Sequence, residues 1–546
     1  MAPIQILPPG TNSQTYADFF DKLSDIVGPE NISRDASDGG LEGPDGEKCY
    51  GDPYPLDNGT MHVPSGAVRP RQVEEIQAIL QIAGKFKIPL WTISRGKNLG
   101  YGGTSPVVRG SVVLDLHRMN RIIEVNGEYG YAVVEPGVSF FDLYEEIQRQ
   151  KLDLWPSCPA IGWGSVVGNT LDRGLGYTPN GEHSQAQCGM EVILPTGEIL
   201  RTGMGAMEGN ATFPLFKGGY GPSIDGLFYQ SNLGVVTKLG IHLTPAPESY
   251  MGISVSVPRE GDLVDLIGIL SSLQRRGVIW NSPSVLNPFR QAVTSPHPSI
   301  RSKIMPYCGP NKSVPEEILD EIRQEQGWGY WAAQFGLYGS VEMVPAMLLT
   351  VRRAFENVDG AKIHTRPASV GFGESLKAED APFEEIPHTG IPTLDPLQLM
   401  NYRQPGSGHI AFSPILPPSG RELYKWYLSA KEFTKKAKFD FFADFHVYPR
   451  YVLSIELVVF APEERSRVNE LYLALLSDAE RQGLSEYRTH VQYMDLVKRH
   501  YSFNQGALGG FTDVLKQTLD PNAILAPGKS GIWGSGTTAG RTAPML

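Results

Sequence analysis

Two glycine-rich segments, each set among short apolar runs, constrain this chain more than any other feature. The first, SRGKNLGYGG, comprises Ser94, Arg95, Gly96, Lys97, Asn98, Leu99, Gly100, Tyr101, Gly102 and Gly103, and lies between the strand-like runs PLWTIS and GSVVLDL. Glycine lacks a Cβ, so successive backbone N–H groups can converge on a pyrophosphate with no side chain in the way. Taken alone, such a loop is as readily an ordinary flexible turn. The second, IGWGSVVGNTLDRGLGYTPNGEH, spaces Gly162, Gly164 and Gly168 as GxGxxxG, which differs from the GxGxxG of nicotinamide Rossmann domains. No clean βαβ unit surrounds it, because LWPSCPAI, with Pro156 and Pro159, reads as loop. A nicotinamide site is therefore not expected, and the two loops together point to a large dinucleotide lying between them.

At 546 residues the chain exceeds what one core usually organises, so two domains are expected. In VEEIQAILQIAGKF, Val73, Ile76, Ile79, Leu80 and Ala83 recur at helical spacing. In SFFDLYEEIQRQ, Ser139 and Asp142 occupy the places of an N-cap and its N3 partner. With the strands IIEVN and YAVVEPGV between them, the mixture predicts an α+β fold. Beyond about residue 245 glycine loops thin out and helices such as VEMVPAMLLTVRRAFENV alternate with strands such as VLSIELVVF. The glycine style of DPNAILAPGKSGIW returns to that of the first part. The expected division is residues 1–245 with 500–546 in one domain and 246–499 in the other.

The formal charge of -11 comes from 59 acidic and 48 basic residues with no long run of either sign, which argues against nucleic acid or an anionic membrane as partner. Cys49, Cys158, Cys188 and Cys308 form no CxxC pair and meet no His at zinc-finger spacing, so neither a disulfide framework nor a metal is expected. MAPIQILPPGTNSQ lacks the charged start and apolar core of a secretory signal, and no window approaches the roughly 20 apolar residues of a membrane span. A soluble cytoplasmic protein fits best. The tail GSGTTAGRTAPML is expected to be loose, its last three residues being a poor approximation to a peroxisomal SKL.

Five segments, SRGKNLGYGG, PAIGWGSVVGNTLDRGLGYTPNGEH, YGPSIDGLFYQSNLGVVTKLGI, EYRTH and DPNAILAPGKSGIW, occur in the order in which they resemble the vanillyl-alcohol oxidase and p-cresol methylhydroxylase flavoprotein family. The resemblance covers about residues 50 to 535. It implies an FAD domain built from the N-terminal half plus the C-terminal tail, with a cap domain over the isoalloxazine ring and a homodimer or higher homo-oligomer formed through the cap. It also implies hydride transfer to flavin from the carbon para to a phenol bound as phenolate, by way of a p-quinone methide. Tyr101, Tyr487 and Arg488 match the places where the family holds the phenolic oxygen. Arginine suits this task because it is permanently cationic, and two tyrosine hydroxyls can donate to one oxygen. Read without the family, Tyr101 is a loop aromatic and the Tyr-Arg pair a solvated end of a helix or strand. Ser94, Arg95, Gly96, Lys97, Asn98, Leu99, Gly100, Gly102, Ala160, Ser165, Gly168, Asn169 and Tyr177 are the matching cofactor positions. Lys529 is placed near the ribityl or pyrimidine side of the flavin; elsewhere it would be a solvated loop lysine.

His409, in SGHIAFSPI, matches the position at which vanillyl-alcohol oxidase links its flavin covalently, although a lone histidine is more often structural. The other branch uses a tyrosine some residues earlier, where this chain has Met400 or, as a weaker candidate, Tyr402. Gly51 stands about where vanillyl-alcohol oxidase has a histidine that assists attachment. Ala160 replaces the acid of vanillyl-alcohol oxidase, as in the p-cresol methylhydroxylase branch, whose carboxylate is matched by Asp444 in FFADFHVYP. Asp444 is expected to direct water or remove a proton at the quinone methide, with a pKa raised by burial; otherwise it caps a strand or faces solvent. The implied substrates are 4-alkylphenols such as 4-ethylphenol or p-cresol, and vanillyl-alcohol or eugenol types. Molecular oxygen is the favoured acceptor because the chain has no CxxCH, although a separate subunit could supply a haem. The rival readings are a same-fold flavin enzyme acting on a sugar lactone or 2-hydroxy acid, and a flavin-binding protein without catalysis.

Overall fold

The computed structural model describes residues 5–37, 49–57, 59–382 and 387–534. The expectations for the C-terminal tail and its last three residues lie outside them. A first sheet contains β1 (Ile32–Ser33), β2 (Gly66–Val68), β3 (Leu90–Ile93) and β4 (Val112–Asp115) in the order β1-β2-β4-β3, with β2 and β3 parallel to β4. The helix Val73–Phe86 lies against it through Ile76, Ile79, Leu80 and Ala83, the stripe that the 3.6-residue period marks. The first glycine loop joins β3 to β4.

A second, antiparallel sheet takes β5 (Ile122–Asn126), β6 (Tyr131–Val134), β8 (Gln187–Ile193), β9 (Ile199–Arg201) and β10 (Val235–His242) in the order β5-β6-β10-β8-β9, while β7 (Leu154–Trp155) pairs with β11 (Thr244–Pro245). The helix Phe140–Gln150 opens on a capping box in which Ser139 and Asp142 bond reciprocally. Such a cap contributes about 1 kcal/mol. The helix Val166–Leu171 starts in the second glycine segment with Ser165 as its N-cap.

From Ser249 onward the strands join a third sheet of nine: β12 (Ser249–Val257), β13 (Ser284–Leu286), β14 (Trp331–Gly339), β15 (Lys362–Ser369), β16 (Gly408–Phe412), β17 (Pro414–Leu416), β18 (Ala443–Val447), β19 (Val452–Phe460) and β20 (Ser485–Glu486). Ala443, Phe445 and Val447 of β18 enter a core with Leu266 and Leu270 of the helix Leu263–Arg275 and Trp426 and Tyr427 of the helix Gly420–Lys436. Side chains alternate along a strand, so Asp444 and His446 face away from that core. Each large apolar side chain buried there contributes roughly 1.5–3 kcal/mol. A slip of one residue would drive the two polar groups into the core, and the register is fixed accordingly. Ile410 and Phe412 enter the same core, which turns His409 of β16 to the opposite face.

The last described segment returns to the first sheet. Leu90 N–H donates to Ile524 O and Ala526 N–H donates to Leu90 O, both at 2.7 Å. The buried Lys516 ammonium donates to Asn232 O, Leu525 O and Asp520 Oδ2 at 2.9, 2.7 and 2.7 Å. No helix among the described residues is long and apolar enough to cross a membrane.

Candidate active site

The two glycine segments meet. A Cβ on Gly168 would fall on Ser94 Oγ, and one on Gly96, whose φ is +68°, would fall on Thr104 Cγ2, so both positions need glycine for this approach. Beside them runs a cavity of about 190 Å³ lined by Ser94, Gly96, Lys97, Asn98, Ser165, Gly168 and Asn169. It shares Asn98, Asp172, Gln230, Arg488, Met494 and Lys529 with a second cavity of about 900 Å³. The glycine cradle fits the phosphates of a dinucleotide, because Ser94, Gly96, Asn98, Ser165, Gly168 and Asn169 bring backbone and small polar groups to one wall, while Trp91, Phe228 and Met494 supply apolar surface for its rings. Lys97 Nζ sits 3.6 Å from the centroid of the Trp163 ring, a cation–π contact. Lys529 is paired with Asp172 at 3.2 Å rather than standing as a solvated cation.

Not every sequence-derived cofactor position lines this groove. Arg95 turns to the helix Phe140–Gln150, donating to Gly137 O at 2.8 Å and lying 3.7 Å from Asp142. Leu99, Gly100, Gly102 and Ala160 lie off the cavity wall, and Tyr177 is buried away from it, its ring beside that of His446.

Tyr101, Tyr487 and Arg488 converge. The Arg488 guanidinium lies over the Tyr101 ring, 4.0 Å from its centroid, in a cation–π contact, and interacts with its phenol electrostatically. Val491 N–H donates to Tyr101 O at 3.2 Å, joining the two segments. A Cβ on Gly102, whose φ is +108°, would approach within 2.6 Å of Val491, so glycine permits this junction. Tyr487 is anchored by its N–H to Ser413 O at 3.3 Å and by Gln230 Nε2 donating to its carbonyl at 2.6 Å. Burial alone would weaken the Arg488 cation, but Tyr101, Tyr487 and Asp172 hold its pKa above the usual guanidinium value. Burial, reinforced by Tyr101 and opposed by Arg488, raises the Tyr487 pKa, so that its hydroxyl stays a donor. A buried cation therefore lies against one phenol ring and interacts through its charge with a second, a grouping of the kind that can stabilise an oxyanion.

Asp444 is buried on β18, beside Tyr177. His446 Nε2 is 3.3 Å from its Oδ1, and His446 Nδ1 is 3.3 Å from Ser284 Oγ, the residue opposite it on β13. The Tyr177 ring lies 5.6 Å from that of His446. Burial does push the Asp444 carboxyl upward, as expected from sequence. It is outweighed, however, by the charge and hydrogen bond of His446 and by Arg290, and the net shift is downward. The expectation of a raised pKa is therefore corrected: Asp444 is a carboxylate at neutral pH. His446 and Arg290 were missed by the sequence reading. The period of two along β18 would have put His446 beside Asp444, whereas nothing local marks Arg290.

His409 packs behind the first loop, where a Cβ on Gly100 would come within 2.5 Å of its Nε2. Its Nδ1 has no protein partner, and burial holds its pKa down near 4, so the ring is neutral and nucleophilic. It lies beside the two cavities rather than in their walls. Gly51 brings no imidazole there, but Asp52, which interacts with His409 through its charge, accepts from His490 Nε2 at 2.9 Å. This Asp52–His490 pair joins distant segments, and no sequence motif announces it. Tyr402 is held elsewhere, its hydroxyl 3.3 Å from Asp440 and its ring against Phe289.

Comparison with known proteins follows the same lines. Residues 64–203 match a family described as an FAD binding domain. The chain is 36% identical over 482 residues to the flavoprotein subunit of 4-cresol dehydrogenase (hydroxylating) from Pseudomonas putida, covering 88% of this chain and 89% of that one. Its structure superposes on 4-ethylphenol oxidase from Gulosibacter chungangensis in complex with isoeugenol with a TM-score of 0.87 at 32% identity, covering 97% of this chain and 99% of the other. For substrate-bound p-cresol methylhydroxylase the TM-score is 0.86, with the same identity and coverage.

Proposed function

Because the chain belongs to the p-cresol methylhydroxylase and vanillyl-alcohol oxidase family and is a flavin-dependent oxidoreductase, we propose that it oxidises para-alkylphenols at the benzylic carbon. The convergence of Tyr101, Tyr487 and Arg488 carries this reading. A phenol ionises near pH 10 in water, so binding it as phenolate at neutral pH requires strong, dry stabilisation of the oxygen. Arg488 supplies the charge and the two hydroxyls supply donors. The phenolate then pushes electron density through the ring, which weakens the benzylic C–H bond and leaves a p-quinone methide when hydride departs. FAD, when bound, supplies the hydride acceptor at N5. Ser94, Gly96, Lys97, Asn98, Ser165, Gly168 and Asn169 would hold its pyrophosphate end, and Lys529 with Asp172 would face its ring.

Residues 1–245 with 500–546 would then form the cofactor unit and 246–499 the cap, with substrate between them. Asp444 would meet the quinone methide, taking a proton either from an incoming water, which gives an alcohol, or from the adjacent carbon, which gives a vinyl product. The carboxylate form that His446 and Arg290 favour is the form able to do so. His409 is the proposed point of covalent attachment, with Asp52 and His490 placed to polarise it; flavin that dissociates on acid precipitation would remove that role.

The proposed acceptor is molecular oxygen, in keeping with the likeness to a 4-ethylphenol oxidase. The likeness to the flavoprotein subunit of a dehydrogenase favours a second reading, electron transfer to a cytochrome. The flavin of the phenol-reduced protein should reoxidise promptly in air; reoxidation only by an added cytochrome would establish the second. Turnover of a lactone or 2-hydroxy acid by a Tyr487→Phe, Arg488→Ala double variant would contradict the phenolic substrate.

A further inference from the structure

Beside Tyr177 and the Asp444–His446 pair lies a second buried imidazole that the proposed reaction leaves without a role. His388 sits in the turn 387–390, which the Gly390 N–H closes on Pro387 O at 3.1 Å. The Tyr338 hydroxyl donates to the His388 carbonyl at 2.8 Å, and the Cys158 thiol donates to Gly390 O at 3.0 Å, so the turn is pinned from two other segments. The side chain is 2% exposed, yet neither ring nitrogen has a protein partner. Buried polar side chains in folded proteins are almost always paired, so a small polar partner such as a water is expected at this ring. The Tyr177 ring lies 6.0 Å from His388 and 5.6 Å from His446, so the two imidazoles flank one phenol ring. Tyr177 in turn interacts with Asp444, Arg290 and Tyr487, and His388 interacts through its charge with His446, so the two imidazoles, Tyr177 and Asp444 form one buried cluster. Asp444 Oδ1 and His446 Nε2 there also lack a well-aligned hydrogen bond.

A water attacking carbon must hold both protons away from the bond being formed, and it needs two acceptors to do so. We propose that His388 is a positioning residue for this water, accepting one proton in a hydrogen bond while Asp444 removes the other. Burial keeps the His388 ring neutral, its pKa pushed down to about 3, so one nitrogen offers a lone pair. The inference rests on the phenol-oxidising reading. In the step, the water oxygen bonds to the benzylic carbon. The exocyclic C=C pair moves through the ring to the oxygen, which becomes phenolate against Tyr101, Tyr487 and Arg488, and the released proton goes to Asp444. No further oxidant is consumed, because hydride has already left. The competing route, loss of a proton from the adjacent carbon, needs no water, so His388 favours alcohol over alkene.

The test compares flavin-loaded wild type, His388→Phe and His388→Gln with 4-ethylphenol, reading the anaerobic bleaching rate and the ratio of 1-(4-hydroxyphenyl)ethanol to 4-vinylphenol. In His388→Phe the ratio should fall by about tenfold while bleaching stays within about twofold, the difference one lost hydrogen bond makes. His388→Gln, whose amide oxygen can accept, should recover part of the ratio and remains a test if the Phe variant fails to load flavin. An unchanged ratio in both variants overturns the role of His388. So does a bleaching rate that falls in parallel with the ratio, or a wild-type product without alcohol. A wild type that no phenol bleaches overturns the phenol-oxidising reading itself, a distinct result.

Discussion

Replacing Tyr487 by Phe removes one hydroxyl and almost no volume. The ring should stay in place, because its backbone is fixed by Ser413 O and by Gln230 rather than through the hydroxyl. What is lost is one donor to the phenolate, in a site where Arg488 and Tyr101 remain. A hydrogen bond to a charged partner is worth about 1.5–3 kcal/mol. At 1.36 kcal/mol per decade, this predicts a fall of about 10- to 150-fold in the rate of flavin reduction by 4-ethylphenol. The measurement is anaerobic stopped-flow absorbance, in which the flavin itself reports hydride transfer and oxygen chemistry plays no part. The variant should also need a higher pH to reach half its maximal rate, since the bound phenol ionises less readily with one donor fewer. A reduction rate within twofold of wild type across pH would refute the assignment of Tyr487 to the phenolic oxygen.

Other substitutions probe the remaining parts. Gly102→Ala strains a left-handed residue and drives a methyl into Val491, so it should lower phenol-dependent reduction by separating Tyr101 from Arg488 while flavin content changes less; equal loss of both would place Gly102 in cofactor binding instead. Because the Asp444 carboxyl is held below its ordinary value, its ion pair contributes stability above pH about 4 and loses it as pH falls further. Asp444→Asn should accordingly shift the ratio of alcohol to alkene at pH 7, and wild-type turnover should show no acid limb from this group above pH about 5. Glu456, in β19, receives the Thr434 hydroxyl on Oε1, and burial pushes its carboxyl up to about 8. The contribution of its neutral form is complete below the ordinary carboxyl value of about 4.3 and is lost as pH rises through about 8. Glu456→Gln should therefore flatten the alkaline decline in melting temperature; an identical decline would show that Glu456 does not cause it.

What the sequence disclosed, and what it concealed, divides along the range of the interactions. Glycine loops, the stripe on the helix Val73–Phe86 and the box formed by Ser139 and Asp142 depend on residues a few positions apart, and all are legible in one dimension. Tyr101 and Arg488 are far apart in sequence and meet through the bond between Val491 and Tyr101, so only resemblance to a family could pair them beforehand. The burial of Asp444 was foreseeable from its apolar strand, but the sign of its pKa shift was not, because it is set by Arg290 from another segment together with His446. His388 belongs to an irregular turn without periodicity, and its significance arises only from the partners it lacks.

The central claim is tested most directly by the visible spectrum of the purified flavin-loaded protein before and after anaerobic addition of 4-ethylphenol. Rapid loss of the oxidised flavin band, with 1-(4-hydroxyphenyl)ethanol or 4-vinylphenol formed in equal amount to the flavin reduced, is the predicted result. A flavin band unchanged by 4-ethylphenol, p-cresol and vanillyl alcohol, but bleached by a lactone or a 2-hydroxy acid, would contradict it.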